Sequence, residues 1–479
     1  MTNIKKFLKS LRKVEKEFVV LAVFVGAYIS YLTYFTFSKF INFFAGRYDL
    51  GNMDQTVWNT LHGRIFSFIN PDFNEVMSRL SVHSDFILIL LAPFYLIWED
   101  ARMLLLIQTV VIAIGAFFVY GIGKKILSQK FIPLLLALSY LINPYVNEQN
   151  MFDFHAISLA TTFILAAFYF LLKNKYKTFS AFAILTLLTK EHMFLVMGLF
   201  GLYILFLKRK MLGLLITVIS FGIFYLLIAK FIPDARAANH FALGYYNDFG
   251  NSPIQIIETF LTNPTKVFSI LMEHDVLHYL KLLFMPVGYL SIFAPFALIF
   301  SLPEFFINIL SSNSAYRSYE YHYAATIIPF IYISSLYAVK KILSLSKKIK
   351  INWLISVYII FLSLFSAWYF GPLPFARKAD YTAFKTIKER DEILRYMKSL
   401  PENISIAATN NIGAHLTHRV RLYTTLGNGI EKADMVLVLI DHKNPTAVKY
   451  DTDFTNQMLQ NPNFHVVYSV GDFTAFKRN

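Results

Sequence analysis

Long apolar runs alternate with short polar interruptions along the first 370 residues, and the alternation stops near residue 375. The runs fall at 17–38, 102–122, 131–146, 155–172, 178–190, 192–207, 211–231, 276–289, 291–308, 324–340 and 352–370. Many lie near the roughly 20 residues that cross a bilayer as helix. The pattern predicts a polytopic α-helical membrane domain over 17–370 with about 11 spans, preceded by a basic segment at 1–16. One more apolar stretch, at 84–98, is short and carries Pro93 in its middle; counted as a span, it would invert the side of everything after it.

Charge settles its reading. If 84–98 is a re-entrant or interfacial helix, one side collects the amino terminus, Lys124, Lys125, Lys130, Lys173, Lys175, Lys177, Lys208, Arg209, Lys210 and the run KKILSLSKKIK. Lysine-rich loops face the cytoplasm, so the expected topology is a cell-membrane, multi-pass protein with a cytoplasmic amino terminus. Its outer side then carries a first loop at 39–84, a large loop at 232–275 and the carboxyl terminus. Every histidine falls in or beside an outer segment, and so do the carboxylates apart from Glu15 and Glu17. In the large loop, NSPIQ reads as a helix start, with Ser252 as N-cap, Pro253 at the first helical position and Gln255 completing a capping box.

Beyond residue 375 the period changes. KADYTAFKTIKERDEILRYMKSLP reads as an amphipathic helix, and ISIAAT, RLYTT, MVLVLI and FHVVYSV read as strands, with NNIGAHLTH as a helix between the first two. Residues 375–479 are therefore expected to form a small extracytoplasmic α/β domain. It contains no Gly-rich phosphate loop, so no nucleotide role is assigned to it.

Composition narrows the class. The 479 residues are 56% hydrophobic and only 16% charged, with 49 phenylalanines, whereas soluble domains carry about 25% charged residues. The net charge of +15 is accounted for by lysine clusters between spans, so no nucleic-acid partner is implied. With no cysteine, disulfides, thiolate metal sites and cysteine nucleophiles are excluded.

Ionisable residues gather in a few outer strings. In YDLGNMDQTVWNTLHGR, Asp49 is placed to begin a helix that stacks Asp54, Trp58 and His62 on one face. Met53, Val57 and Leu61 then suit a helix lying along the bilayer surface. An ordinary alternative makes Asp49 an N-cap and Trp58 an interfacial anchor. SVHSDF carries His83 and Asp85; MFDFHAI carries Asp153 and His155. TLLTKEHMF puts Lys190, Glu191 and His192 between apolar halves, an expensive arrangement unless they face protein or a watery cavity; the alternative is a polar turn in which Lys190 pairs with Glu191. SSNSAYRSYEYHY adds Arg317, Glu320 and His322. Asp/His neighbours are compatible with a divalent metal ion, but no H-E-x-x-H spacing occurs.

These strings, with NSPIQIIETFLTNPTKV, LLFMPVGYLSIFAPFALIFSLPEFFINILSS and YHYAATIIPF, resemble the domain-of-unknown-function family 2079 of prokaryotic membrane proteins. The resemblance runs from roughly 40 to 340 and more loosely through the α/β tail. That family distantly resembles the type C (GT-C fold) glycosyltransferases, which take a sugar from a polyprenyl-phosphate donor. The resemblance implies that Asp49 matches the essential acidic residue of the first outer loop. It likewise implies that His83 opens a short helix, Asp153 is a second acidic site, and Lys190 ends a span. This chain has His83-Ser84-Asp85 where those enzymes usually show His-Pro-Pro.

The residues suit that chemistry. An aspartate can take a proton from an acceptor hydroxyl, and a departing phosphate needs positive charge or a metal, for which Lys190, Arg317 and Arg64 are candidates. The expected function is sugar transfer from a polyprenyl-phosphate donor to an unknown acceptor at the membrane, with membrane lipids as the other partners. Asp49 is the expected base, assisted by Asp54 or Asp153. Candidate substrate-binding residues are His83, His155, Lys190, Glu191, Arg317 and Trp58. A transporter or flippase of an anionic lipid or solute is the rival class; its inverted repeats and midplane charges are not apparent. A non-catalytic envelope scaffold is the third.

Overall fold

The computed structural model describes residues 15–479 apart from 208, 239–240, 346–348 and 444. The basic amino terminus up to residue 14, Lys208, His240, Lys347 and Lys348 lie outside the described residues.

Five helices are long and apolar enough to cross a membrane: α1 (Lys16–Ile41), α3 (Arg102–Leu127), α6 (Lys210–Arg236), α7 (Ile328–Leu345) and α8 (Ile349–Phe370). Between α1 and α3 lies a short helix, α2 (Asn52–Leu61); before α6 come α4 (Ala156–Leu172) and α5 (Met193–Leu205). The other expected spans are shorter or broken. The 131–146 run stops at Leu141, and a new helix starts at Pro144 with Asn143 as its cap. In the 291–308 run, Pro295 and Pro303 punctuate 3₁₀ turns and a helix at Leu302–Leu310, because proline cannot donate the interior helical bond.

Helices α1 and α3 run antiparallel. At one end Glu15 pairs with Lys124 at 2.5 Å and Lys130 at 3.2 Å. At the other, the Arg102 guanidinium lies 5.8 Å from the Phe37 ring. Residues 42–101 therefore leave and re-enter the bundle at the same end. The apolar stretch within them is a short helix at Ile87–Leu91 followed by a 3₁₀ turn to Leu96. Helices α5 and α6 approach closely because Gly201 faces Thr217 and Gly213 faces the Leu205 backbone, where a Cβ would lie 2.5 and 2.6 Å from its neighbours. Small residues at such crossings let membrane helices pack through dispersion contacts.

The first loop also contains a hairpin, β1 (Ser67–Asn70) and β2 (Glu75–Ser78), antiparallel. The carboxyl-terminal domain is one five-stranded sheet: β3 (Ile406–Ala408), β4 (Leu422–Thr424), β5 (Met435–Leu439), β6 (Phe464–Val470) and β7 (Phe473–Arg478), in the order β4-β3-β5-β7-β6. Strand β3 is parallel to both β4 and β5, while β7 is antiparallel to β5 and β6. Strand β5, MVLVL, is buried along its length, as a central strand covered on both faces should be. Helix α9 (Arg390–Ser399) covers one face through Ile393 and Met397. The expected helix over KADYTAF does not extend back to Lys378: Asp380 accepts a bond from the Thr382 amide at 2.7 Å, a local turn that competes with helix. NNIGAHLTH is helical only at Asn410–Gly413.

The domain docks on the first loop. Asn42 donates to the Ala383 carbonyl at 2.7 Å and accepts from Arg390 at 3.1 Å. Asn74 accepts the Thr424 amide at 2.8 Å and donates to the Leu426 carbonyl at 2.7 Å. The His415 Nε2–H donates to the Phe40 carbonyl at 2.9 Å while its ring stacks on Phe40.

Candidate functional site

The stretch that carries Asp49 is not a simple helix start. Arg47–Gly51 forms one π turn that runs into α2, and such single-turn π segments recur at functional sites. No side chain caps it, so Asp49 is not an N-cap. What holds the turn is Arg47, wholly buried. Its guanidinium donates to Asn52 at 2.6 Å, Gln55 at 2.8 Å and the Ile69 carbonyl at 2.9 Å. A buried cation survives only when bonded in this way. The Asn410 side chain accepts the Tyr48 amide at 3.1 Å, and Gly413 packs directly on the Arg47 stem.

Asp49 escapes this burial. Its side chain is 38% exposed, and its carboxylate lies 3.4 Å from His155 Nε2. The Nδ1–H of His155 donates to the Asp153 carbonyl at 3.0 Å, which turns Nε2 toward Asp49. The pair lines a polar cavity of about 330 Å³ together with Asn52, Asn70, Lys190, Tyr245 and Tyr321. A second compartment of about 260 Å³ adjoins it; His83, Lys190, His322 and Tyr323 line both. Its wall is apolar toward α6, where Phe224 and Ile228 border it with Ile157 and Ile307.

Two further acid–histidine pairs sit on the second compartment. His83 Nδ1 is 2.9 Å from Glu191, whose other oxygen accepts the Ser84 amide at 3.1 Å. His192 Nε2 is 3.4 Å from Glu304, which accepts from Thr326 at 2.8 Å. The other oxygen of Glu304 and Nδ1 of His322 are buried without a hydrogen-bond partner among the described residues. The His322 ring stacks on His155 with centroids 3.8 Å apart. Burial, reinforced by the neighbouring His155, holds His322 well below the usual imidazole range. Burial, with the nearby Lys190 charge, does the same for His83. Both rings are neutral donors or acceptors near neutral pH. Lys190 is the cation where the compartments meet, and among the described residues it forms no ion pair. A Lys190–Glu191 pair, one reading of the sequence, is absent; Glu191 is bound to His83 and Ser84.

The other singled-out residues lie elsewhere. Asp153 is buried and accepts the Gly46 amide at 2.7 Å, so it holds the backbone leading into the Asp49 turn. Burial raises its pKa, Lys39 opposes the rise and the Asp49 charge adds to it. Asp54 has no exposed surface and receives hydrogen bonds from Tyr95, Thr417 and His418. Trp58 is buried rather than interfacial, its indole donating to Glu99 at 2.6 Å and stacking near His418. Met53 and Val57 are also buried in protein. Arg317 is tied to the carbonyls of His274, Asn308 and Ser311, and Arg64 lies over Trp58. Of these, only Met53 reaches the wall of the Asp49 cavity; Asp54, Val57, Trp58, Arg64, Asp153 and Arg317 line neither compartment. Sequence reasoning passed over Arg79, which binds Asp85 through both oxygens in the cavity wall, and Glu304, whose signal was a lone carboxylate inside an apolar run. Among the described residues, no three His, Asp or Glu side chains are grouped to hold a metal ion.

The chain belongs to the domain-of-unknown-function family 2079, described as a predicted membrane protein; the family model matches residues 39–471. The match takes in the first loop and strands β3 to β6 of the carboxyl-terminal sheet, with β7 beyond its end. No curated protein matches the chain.

Proposed function

We propose that this protein is a GT-C-like membrane glycosyltransferase that moves a sugar from a polyprenyl-phosphate donor to an acceptor hydroxyl at the outer face of the cytoplasmic membrane. The observation that carries the reading is the Asp49–His155 pair on a cavity whose polar compartment continues, past Lys190, into an apolar one against α6. An amphiphilic donor fits that order. Its lipid lies along Phe224 and Ile228, its phosphate reaches Lys190, and its sugar lies among Tyr245, Tyr321, Asn52 and Asn70.

In the proposed step the acceptor oxygen attacks the anomeric carbon while its proton passes to the Asp49 carboxylate. The bond from that carbon to the phosphate oxygen breaks, and its electron pair leaves with the phosphate. Lys190 stabilises that charge, which in a low-dielectric site is worth far more than in water. His155 fixes the Asp49 carboxylate in place, and Asp153 fixes the backbone before it. The expected eleven-span topology, with the lysine-rich loops in the cytoplasm, puts this end of the bundle outside.

The test is purified protein in lipid nanodiscs with a panel of polyprenyl-phosphate sugars, wild type beside Asp49→Asn. Both proteins should bind a donor, and only the wild type should release its sugar, with a loss of 10²-fold or more, typical of a removed general base. Folded protein that binds no donor overturns the proposal. Donor that is bound and moved between leaflets without sugar release would replace it with a flippase.

A further inference from the structure

A second cleft, about 520 Å³ in volume, lies between the first loop and the carboxyl-terminal domain. It touches the Asp49 cavity through Phe152, which lines both. On the domain side its wall is Asn411, just after β3, and Ile440–Lys443, just after β5. From β3 the chain moves outward to β4, and from β5 it moves the opposite way, through Pro445–Leu459 to β6 and β7. That divergence at the carboxyl ends of neighbouring parallel strands is where open α/β sheets form a ligand crevice. The membrane side supplies Phe43, Phe44 and Lys39, and the linker supplies Lys385 and Thr386.

We propose that this cleft is the acceptor site and that its ligand is a glycan. Its charges balance: Asp441 lies 3.6 Å from Lys443, Asp472 lies 2.8 Å from His442, and Asp380, which accepts the Thr382 amide, shares the lining with Lys39 and Lys385. Matched pairs do not select a charged ligand, but they offer donors and acceptors side by side, as a run of sugar hydroxyls requires. Phe44 and Phe152, both half-buried, provide apolar contact for the C–H faces of sugar rings, while Phe43 behind them is buried in the domain core. The Asp49 cavity shares Lys190 with the apolar compartment and Phe152 with this cleft, so an acceptor entering from the cleft would meet the donor sugar on the side away from its phosphate. In-line displacement needs that arrangement. This last step rests on the glycosyl-transfer reading; the glycan cleft itself does not.

The test uses the full chain in nanodiscs and tetrasaccharides of glucose, mannose, galactose and N-acetylglucosamine as probes, with saturation-transfer NMR as the readout. Wild type and Asp49→Asn should bind at least one of them. Thr386→Trp, at an exposed position on the cleft wall, should weaken that binding at least tenfold and leave binding of the polyprenyl-phosphate probe unchanged. Lys443→Ala, which frees Asp441, should weaken it by a smaller factor. No tetrasaccharide binding, or binding indifferent to Thr386→Trp, overturns the proposal, as does a Thr386→Trp-sensitive peptide binding in place of the sugars. Sugars that bind in the cleft of a protein that binds no donor would uphold the cleft while the transferase reading fails.

Discussion

Replacing Asp54 should loosen the carboxyl-terminal domain from the first loop without unfolding the bundle. Asp54 sits in α2 with no exposed surface, and three donors converge on it: the hydroxyls of Tyr95 and Thr417 and the ring of His418, 3.2 Å from Oδ2. Two of the three come from the docked domain. Hydrogen bonds to a charged partner contribute about 1.5–3 kcal/mol each, and removing one partner of a buried ion pair costs about 3–5 kcal/mol. The estimate for Asp54→Ala is about 3–5 kcal/mol of docking free energy. At about 1.4 kcal/mol per tenfold, the undocked population should rise between about 10² and 10³·⁵-fold. Hydrogen exchange in nanodiscs reads this directly. Peptides covering 46–56 and 410–419 should exchange faster by that factor, the Tyr48 amide among them because its acceptor is Asn410. Peptides from α3 and α7 should not change. Thr417→Val, which removes one neutral donor, should produce only a small part of the effect. Unchanged exchange in both loop segments, or equal acceleration throughout the bundle, would refute the reasoning.

Gly413→Val should destabilise the same interface by about 1–3 kcal/mol, the usual cost of overpacking, because even a Cβ there would lie 2.6 Å from Cβ of Arg47. Gly222→Ala, with nothing within 4 Å of the added methyl, should by contrast gain up to about 1 kcal/mol from helix propensity. Thermal unfolding of both variants in lipid decides the point. Stability should also fall as pH drops from about 6.5 toward 4. Burial holds His83, His322 and His415 below their unfolded pKa, the last at about 4, so in that window the unfolded chain binds protons that the native one does not. The slope is up to about 1.4 kcal/mol per pH unit for each such histidine. His418 opposes it. Although burial works against its charge, Asp54 raises its pKa, so its contribution is present in acid and lost as pH rises through the folded value. A stability curve flat between pH 6.5 and 4 would contradict this balance.

The sequence made the membrane domain, the sheet domain and the Asp49 string legible because each depends on local pattern. Hydropathy marks α1 and α3, and a short β-branched, apolar run between polar segments marks β5. Where local pattern competes with chain chemistry, the reading slipped: prolines cut the 291–308 run into short turns, and an Asp380 turn shortened the amphipathic helix. Long-range pairing left no local trace. Nothing near Asp54 announces that its partners are Thr417 and His418, more than 360 residues away. Nothing near Arg317 shows that its guanidinium is spent on backbone carbonyls rather than on a ligand. Arg79 and Asp85 read as two separate outer charges, yet they form one neutral buried pair.

The division within YDLGNMDQTVWNTLHGR follows from those long-range contacts. Arg47 and Asp54 are the buried charges, and each is bonded on several sides, so they fix where the π turn lies. Asp49 is the charge left partly in solvent, and it faces the cavity. Had Asp49 been buried like Asp54, its oxygens would have been taken up by protein donors as those of Asp54 are by Tyr95, Thr417 and His418, and would not have reached an acceptor hydroxyl. Had Arg47 been exposed, the turn would have been one more mobile surface loop. A rigid backbone under a half-exposed carboxylate is what a positioned base requires. In this chain the rigidity is supplied by a domain that begins more than 300 residues later, so the sheet domain belongs to the site even though none of its residues lines the Asp49 cavity.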